Sequence, residues 1–311
     1  MNQRPSEVVA DMLASMAMPD ADARRQFDRA LDPQYWRRLV PALSIERRPS
    51  RRIRVRSIDD RRAGSELRDR GYTHLNHVFD QPLMRRLAAA VERLRASDWP
   101  AVFVFLYDEF WALPRSGRLP SLLREAVGPA CRQSPNVWLH YVDARGEAAG
   151  WPPHRDHSDA SRVTVWVPLT SARVEDGCMH VLPRHLMPSH LVGSWEQLET
   201  VSRDDVLRLL HAARALPADA GSIVCWHADM LHWGGYRVTA ARPRIACSME
   251  FQSAAAGSTE RGLPTLPLSG TLPAFSQRLR IVSEMVLLYY SHEPRLARYV
   301  ELAQRLASSS C

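Results

Sequence analysis

The chain has 311 residues, 45% apolar and 24% charged, and its formal net charge of +7 rests on arginine alone, since the sequence contains no lysine. That length buries a sizeable core in one large domain or one domain with decorations, and the balance is that of an ordinary globular chain. No apolar run approaches bilayer length, and the start, "MNQRPSEVVADMLASMAMPD", lacks the pattern of a secretory leader, so cytoplasmic residence is expected.

The all-arginine surplus reads as codon bias rather than a dedicated nucleic-acid surface, so neither nucleic acid nor membrane is the expected partner. The five cysteines, Cys131, Cys178, Cys225, Cys247 and Cys311, have no CxxC pair and fit reduced thiols better than a disulfide framework or zinc knuckle.

In chain order, residues from about Ser6 to Leu43 carry apolar side chains at three- and four-residue spacing and predict helix. "ERRPSRRIRVRSIDDRR" (Glu46 to Arg62) reads as a solvated basic linker. "RGYTHLNHVFDQPLMRRLAAAVERLRAS" predicts a strand, a turn and a helix, with Asp80 as N-cap, Pro82 in the first turn and Leu83, Leu87, Val91 and Leu94 as the apolar stripe. "AVFVFLYDEFW" predicts a buried strand, followed by a polar cluster, Tyr107, Asp108 and Glu109, given no role beyond structural hydrogen bonding. "LPSLLREAVG" predicts a short helix closed by Gly128.

From Pro135 the pattern changes to short strands between Gly, Pro and Asp: "NVWLHYV", "RVTVWVPL", "CMHVLP", "GSIVCWH" and "RIACSMEF". Such a series predicts an antiparallel sandwich or jelly roll rather than a parallel α/β sheet. The tail returns to helix, broken near Pro294. Residues 1–60 are expected to be a helical extension with the basic linker, 61–255 the jelly-roll core and 256–311 a C-terminal helical extension.

The chemistry concentrates in "WPPHRDHSDASRVTVWVPL", which holds two adjoining His-x-Asp triplets, His154/Asp156 and His157/Asp159. Two histidines and one carboxylate on one side of a non-haem Fe(II) leave coordination positions open for substrates. The second histidine has to come from a distant strand, and "GSIVCWHADMLHWGG" offers His227 and His232. His227 stays within the strand's alternation, and a packed, hydrogen-bonded histidine is the blander account of it; His232 is favoured. Arg244 opens "RIACSMEF", where alternation sets Arg244, Ala246 and Ser248 against Ile245, Cys247, Met249 and Phe251. An arginine fork there suits an organic acid's carboxylate, with Ser248 as a further hydroxyl and Arg242 as its rival. Thr164 and Trp166 on one strand face and His140 on another are candidate lining residues that would contact that organic acid, and Trp138, beside His140, is a candidate substrate contact; aromatic core packing serves each Trp equally well.

Taken in order, "RGYTHLNHVFDQPLMRRLAAAVERL", "PPHRDH", "RVTVWVPL", "EDGCMHVLPRH", "GSIVCWHADMLHWGG" and "RPRIACSMEF" resemble the phytanoyl-CoA dioxygenase-like Fe(II)/2-oxoglutarate dioxygenases, over roughly Arg70 to Phe251. The resemblance implies a double-stranded β-helix (a cupin-like jelly roll) flanked by N- and C-terminal helices. It also implies His154, Asp156 and His232 as iron ligands and Arg244 as the holder of 2-oxoglutarate, with O2 as the other cosubstrate. His154/Asp156 are then preferred over the second triplet because the Pro152-Pro153 lead-in matches the family pattern. His157 becomes a loop residue above the metal, a candidate substrate contact, and Asp159 ends the turn. Two features depart from the family: Pro183-Arg184-His185 replaces the usual Pro-Gly-Ser-His, and the terminal helices have no counterpart.

Retention of the carboxylate implies hydroxylation of a small-molecule C–H bond, with succinate and CO2 released and with desaturation, epoxidation or ring chemistry as the alternatives; a monomer or homodimer is expected. The competing class is a degenerate jelly-roll protein that binds metal or ligand without turnover. Such a protein has no need of the Arg244 clamp.

Overall fold

The molecule is described from a computed structural model, over residues 20–49, 52–143, 150–158, 160–187, 202–238, 242–256 and 262–309. "SEVVADMLASM", Asp159 and Cys311 lie outside the described residues. Contacts divide the chain into two compact units, one of residues 1–50, 90–111 and 271–311, the other of 51–89 and 112–270.

In the first unit, helices Asp20–Leu31 and Pro33–Leu39 follow each other, the second opened by Asp32, whose carboxylate accepts from the amides of Gln34 and Tyr35. Trp36 packs against Trp99 and Phe103, with ring centroids 4.6 and 5.7 Å apart. The expected strand "AVFVFLYDEFW" is instead a 3-10 helix, Ala101–Leu106, followed by helix Asp108–Ala112. The burial was legible and the conformation was not, because a continuous apolar run carries no period. The polar residues that close this run serve structure. Tyr107 donates to the Trp36 carbonyl, Glu109 accepts from Ser44, and Asp108 accepts from the amides of Glu46, Arg47 and Arg48 while pairing with buried Arg278. The tail forms helices Phe275–Tyr289 and Val300–Ser309 with a 3-10 turn, Pro294–Tyr299, at the expected break.

The segment read as a solvated linker is partly ordered by such contacts. Besides the amides held by Asp108, Val55 bridges Phe79, and Asp59 caps a helix, Asp60–Arg70, that the apolar pattern had not shown.

Among the described residues of the second unit, nine strands form two antiparallel sheets: β1 (Tyr72–Leu75), β2 (Cys131–Val142), β3 (Arg162–Pro168), β4 (Met179–Val181), β5 (Arg214–Leu216), β6 (Ile223–His227), β7 (His232–Gly234), β8 (Arg244–Ser253) and β9 (Leu266–Pro267). The larger sheet runs β1-β6-β3-β8-β2-β9 and the smaller β5-β4-β7. Trp166, Val224, Trp226 and Ala246 of the larger sheet pack with Met179, Val181 and Leu216 of the smaller. This is the interior of a double-stranded β-helix, cupin-like and flanked by helices. Helix Arg203–Ala212, absent from the sequence reading, is capped by Ser202 and carries Asp204 and Asp205 in its first turn. Its Leu209 and Ala212 pack on Leu182 and Leu231. Among the described residues no helix is long and apolar enough to cross a membrane.

Register decides what faces the interior. Thr164 lies opposite Trp226 and Glu250, Trp166 opposite Val224 and Ser248, and His140 opposite Ala246. Directly opposed residues share a face, so Thr164, Trp166, Trp226, Trp138, His140, Arg244, Ser248 and Glu250 all project from the inner face. Cys225 and Cys247 fall on the other face; both are buried free thiols, as are Cys131 and Cys178.

Candidate metal centre

The segment before His154 acts as an extra strand against β7. Gly234 donates its amide to the Trp151 carbonyl, and His154 and His232 exchange amide-to-carbonyl bonds of 3.0 Å in both directions. This ladder makes His154 and His232 cross-strand neighbours, with ring centroids 4.3 Å apart. Asp156, two residues on, turns its Oδ1 toward both: 3.6 Å from His154 Nε2 and 3.5 Å from His232 Nε2. One ligand atom from each of the three residues falls within 4.8 Å of the others.

The remaining polar atoms of these side chains are engaged. His154 Nδ1 donates to the Pro152 carbonyl (2.7 Å) and His232 Nδ1 to the Met230 carbonyl (3.0 Å). A carbonyl can only accept, so both rings carry a proton on Nδ1, which leaves Nε2 as the nitrogen each neutral ring can offer to a metal. Asp156 Oδ2 accepts from Thr164 Oγ1 (2.7 Å) and Trp226 Nε1 (3.0 Å). Burial opposes ionisation of Asp156, but His232 and His154 outweigh it and hold the carboxyl well below its usual range. Burial drives His232 toward its neutral form. At His154 burial is outweighed by the adjacent Asp156, which raises the imidazole. Two imidazole nitrogens and one carboxylate oxygen form a donor set that suits Fe(II).

Arg244 is 3% exposed, and among the described residues no carboxylate pairs with it. Its Nη1 donates to the Gly177 carbonyl, whereas its Nε is buried without a partner among the described residues. Burial lowers it to about 10, with Cys178 opposing and nearby Arg237 adding to the fall, so the guanidinium stays charged at neutral pH. Glycine is required beside it: a Cβ on Gly234 would sit 2.6 Å from the Gly150 Cα and 3.1 Å from Arg244 Nη2. A buried cation of this kind is incomplete without an anion.

His140 Nε2 lies 3.0 Å from Ser248 Oγ, and its ring packs edge-on against Trp151, which in turn lies against His154. Burial first, then Arg244, push His140 down to about 3. Trp138 lies 6.3 Å from Trp151 between centroids. Trp166 belongs to the packed interior cluster.

His157 does not stand free in a loop. Its Nε2 is 2.7 Å from Glu250 Oε2, while Arg162 donates to Glu250 Oε1 (3.1 Å). His227 is 6% exposed and bonded through Nδ1 to the Ala160 carbonyl, Arg242 is exposed, and Arg237 is buried. Trp226, Glu250, Arg162 and Trp151 were missing from the sequence reading. Continuing the Arg244, Ala246, Ser248 alternation by one more step reaches Glu250; no local signal marks Trp226 as a partner of Asp156.

The sequence model of the phytanoyl-CoA dioxygenase (PhyH) family matches residues 67–246. No protein with a curated description matches the chain by sequence. Among solved structures, the non-heme alpha ketoglutarate dependent epimerase SnoN from nogalamycin biosynthesis superposes with a TM-score of 0.52 at 21% identity, covering 68% of this chain and 95% of SnoN. The non-heme monooxygenase ThoJ gives a TM-score of 0.52 at 14% identity, covering 79% and 99%. EctD from S. alaskensis with bound Fe gives 0.50 at 14% identity, covering 71% and 85%. These likenesses establish the shared fold, and the family match, which spans more than half of the sequence, establishes descent: the chain belongs to the phytanoyl-CoA dioxygenase family.

Proposed function

We propose that the protein is a non-haem Fe(II)/2-oxoglutarate-dependent oxygenase that hydroxylates an unactivated C–H bond of a small molecule in the cytoplasm. The observation that carries this reading is the convergence of His154, Asp156 and His232 ligand atoms within 4.8 Å, with both imidazole Nδ1 protons already committed elsewhere. Family membership and the iron- and alpha ketoglutarate-bound relative SnoN, crystallised with nogalamycin RO, support it.

Bound iron, 2-oxoglutarate and O2 would together supply the oxidising power, with succinate and CO2 released. The protein's part is geometric and electrostatic. His154, Asp156 and His232 would hold the metal from one side. Arg244, buried, charged and without a carboxylate partner among the described residues, would take the far carboxylate of 2-oxoglutarate. Neutral His140, bonded to Ser248, offers a polar contact without a second positive charge beside that clamp.

The test is product stoichiometry. Iron-loaded protein given 2-oxoglutarate and a substrate panel should form succinate, and Asp156→Ala should abolish it. Absence of succinate with every substrate, together with unchanged iron binding in Asp156→Ala, would sink the reading. A thermal shift with N-oxalylglycine that is independent of metal would favour a binding protein instead.

A further inference from the structure

We infer that Trp226 and Thr164 are positioning residues that commit Asp156 to one-oxygen ligation; the inference rests on the metal site proposed above. Asp156 has two oxygens with different surroundings. Oδ1 faces both histidine Nε2 atoms at 3.5–3.6 Å, the position of a shared ligand. Oδ2 faces away and accepts two hydrogen bonds, from Thr164 Oγ1 at 2.7 Å and Trp226 Nε1 at 3.0 Å.

These donors come from the rigid part of the fold. Thr164 and Trp226 are directly opposed on β3 and β6, inside the larger sheet, so they reach the carboxylate as a preset pair. Asp156 itself sits on irregular chain between His154 and Ser158. The sheet therefore fixes the rotation of a loop-borne carboxylate. The indole also packs against the second histidine: the rings of Trp226 and His232 lie 4.6 Å apart. One residue thus sets both a nitrogen and an oxygen of the donor set.

The chemical consequence is specific. A carboxylate with both oxygens available can chelate a metal and consume an extra coordination position. Two donors on Oδ2 oppose that, and leave the position for 2-oxoglutarate or O2. An indole N–H can only donate, so it discriminates between the two oxygens irrespective of hydroxyl orientation. Thr164 is thereby moved from a presumed cosubstrate contact to a partner of the metal ligand.

The test uses Co(II) added to the metal-free full chain, with Trp226→Phe, Thr164→Val and Thr164→Ser. Phe keeps an aromatic ring against His232 and Val keeps the volume of Thr, so each removes chiefly a donor. Trp226→Phe and Thr164→Val should each weaken Co(II) binding about 10–100-fold. The visible absorption of bound Co(II) should change as the freed oxygen approaches the metal. Thr164→Ser, which keeps the hydroxyl, should bind as the unmodified chain does. A shift confined to the thermal midpoint of the metal-free protein, with Co(II) affinity and spectrum unchanged, would overturn the inference. So would a Thr164→Ser loss equal to that of Thr164→Val. Asp156→Ala in the same titration separates the two levels. If it binds Co(II) like the unmodified chain, the metal site fails; if it loses Co(II) while Trp226→Phe and Thr164→Val do not, only the positioning role fails.

Discussion

Glu250 Oε2 lies 2.7 Å from His157 Nε2, one residue beyond the carboxylate of the metal cluster, and its other oxygen receives Arg162. Glu250 is 3% exposed and sits on β8 directly opposite Thr164. The loop bearing Asp156 is therefore tied to the sheet by a buried charge network as well as by the Thr164 hydroxyl. Removing one member of such a network strands the others without water. Glu250→Ala is expected to cost about 3–5 kcal/mol of stability. Urea unfolding measures it, and a loss below about 1 kcal/mol would show the network to be solvated.

Arg244→Lys keeps the charge but replaces the planar fork by a single ammonium. Loss of one charge-assisted hydrogen bond corresponds to about 1.5–3 kcal/mol, so affinity for 2-oxoglutarate should fall roughly 10–150-fold. Calorimetric titration with the metal present would read this, and an unchanged Kd would remove Arg244 from the cosubstrate site.

His140 introduces a dependence on acid. Its folded value, about 3, lies below the ordinary 6.5 of an unfolded chain, because the interior and Arg244 disfavour the cation. Between those values the unfolded chain binds a proton that the folded chain refuses. Its contribution to stability is thus complete above pH 6.5 and declines as pH falls toward 3. Thermal midpoints measured from pH 7.5 to 4.5 should fall, and more gently in His140→Gln; parallel curves would contradict this.

Asp108 predicts a large effect far from the chemistry. Its carboxylate accepts three backbone amides and pairs with Arg278, which is 1% exposed. Asp108→Asn should destabilise by about 3–5 kcal/mol, since it leaves a buried guanidinium uncompensated. Denaturant midpoints of this variant and of Arg278→Met, which removes the charge rather than stranding it, would differ in the direction of the milder methionine.

Particular residues show how far local pattern reached. The strand "RIACSMEF" was legible because alternation separates Arg244, Ala246 and Ser248 from an apolar set, and β8 follows it. The same rule applied to "AVFVFLYDEFW" failed, because the run from Ala101 to Leu106 is apolar at every position and burial alone does not choose between strand and helix. Helices Asp60–Arg70 and Arg203–Ala212 are not among the predicted elements, although Asp59 and Ser202 cap them. The first is polar on most faces, so its signal lies in the cap; the second carries Val206, Leu207, Leu209 and Leu210 at helical spacing behind its Ser202 cap.

The sequence alone determined the class of fold and the set of residues from which a metal site could be made. Periodicity and turn residues are local properties, and the ordered motifs from "PPHRDH" to "RPRIACSMEF" are written in the chain. Only the tertiary structure decided which side chains meet. Strand register set Trp226 and Thr164 opposite each other, turned both toward Asp156 Oδ2, and drew His157 to Glu250, which follows it by 93 residues. Such pairings depend on hydrogen-bond ladders between segments far apart in the chain, where a slip of one residue would send each side chain to the opposite face.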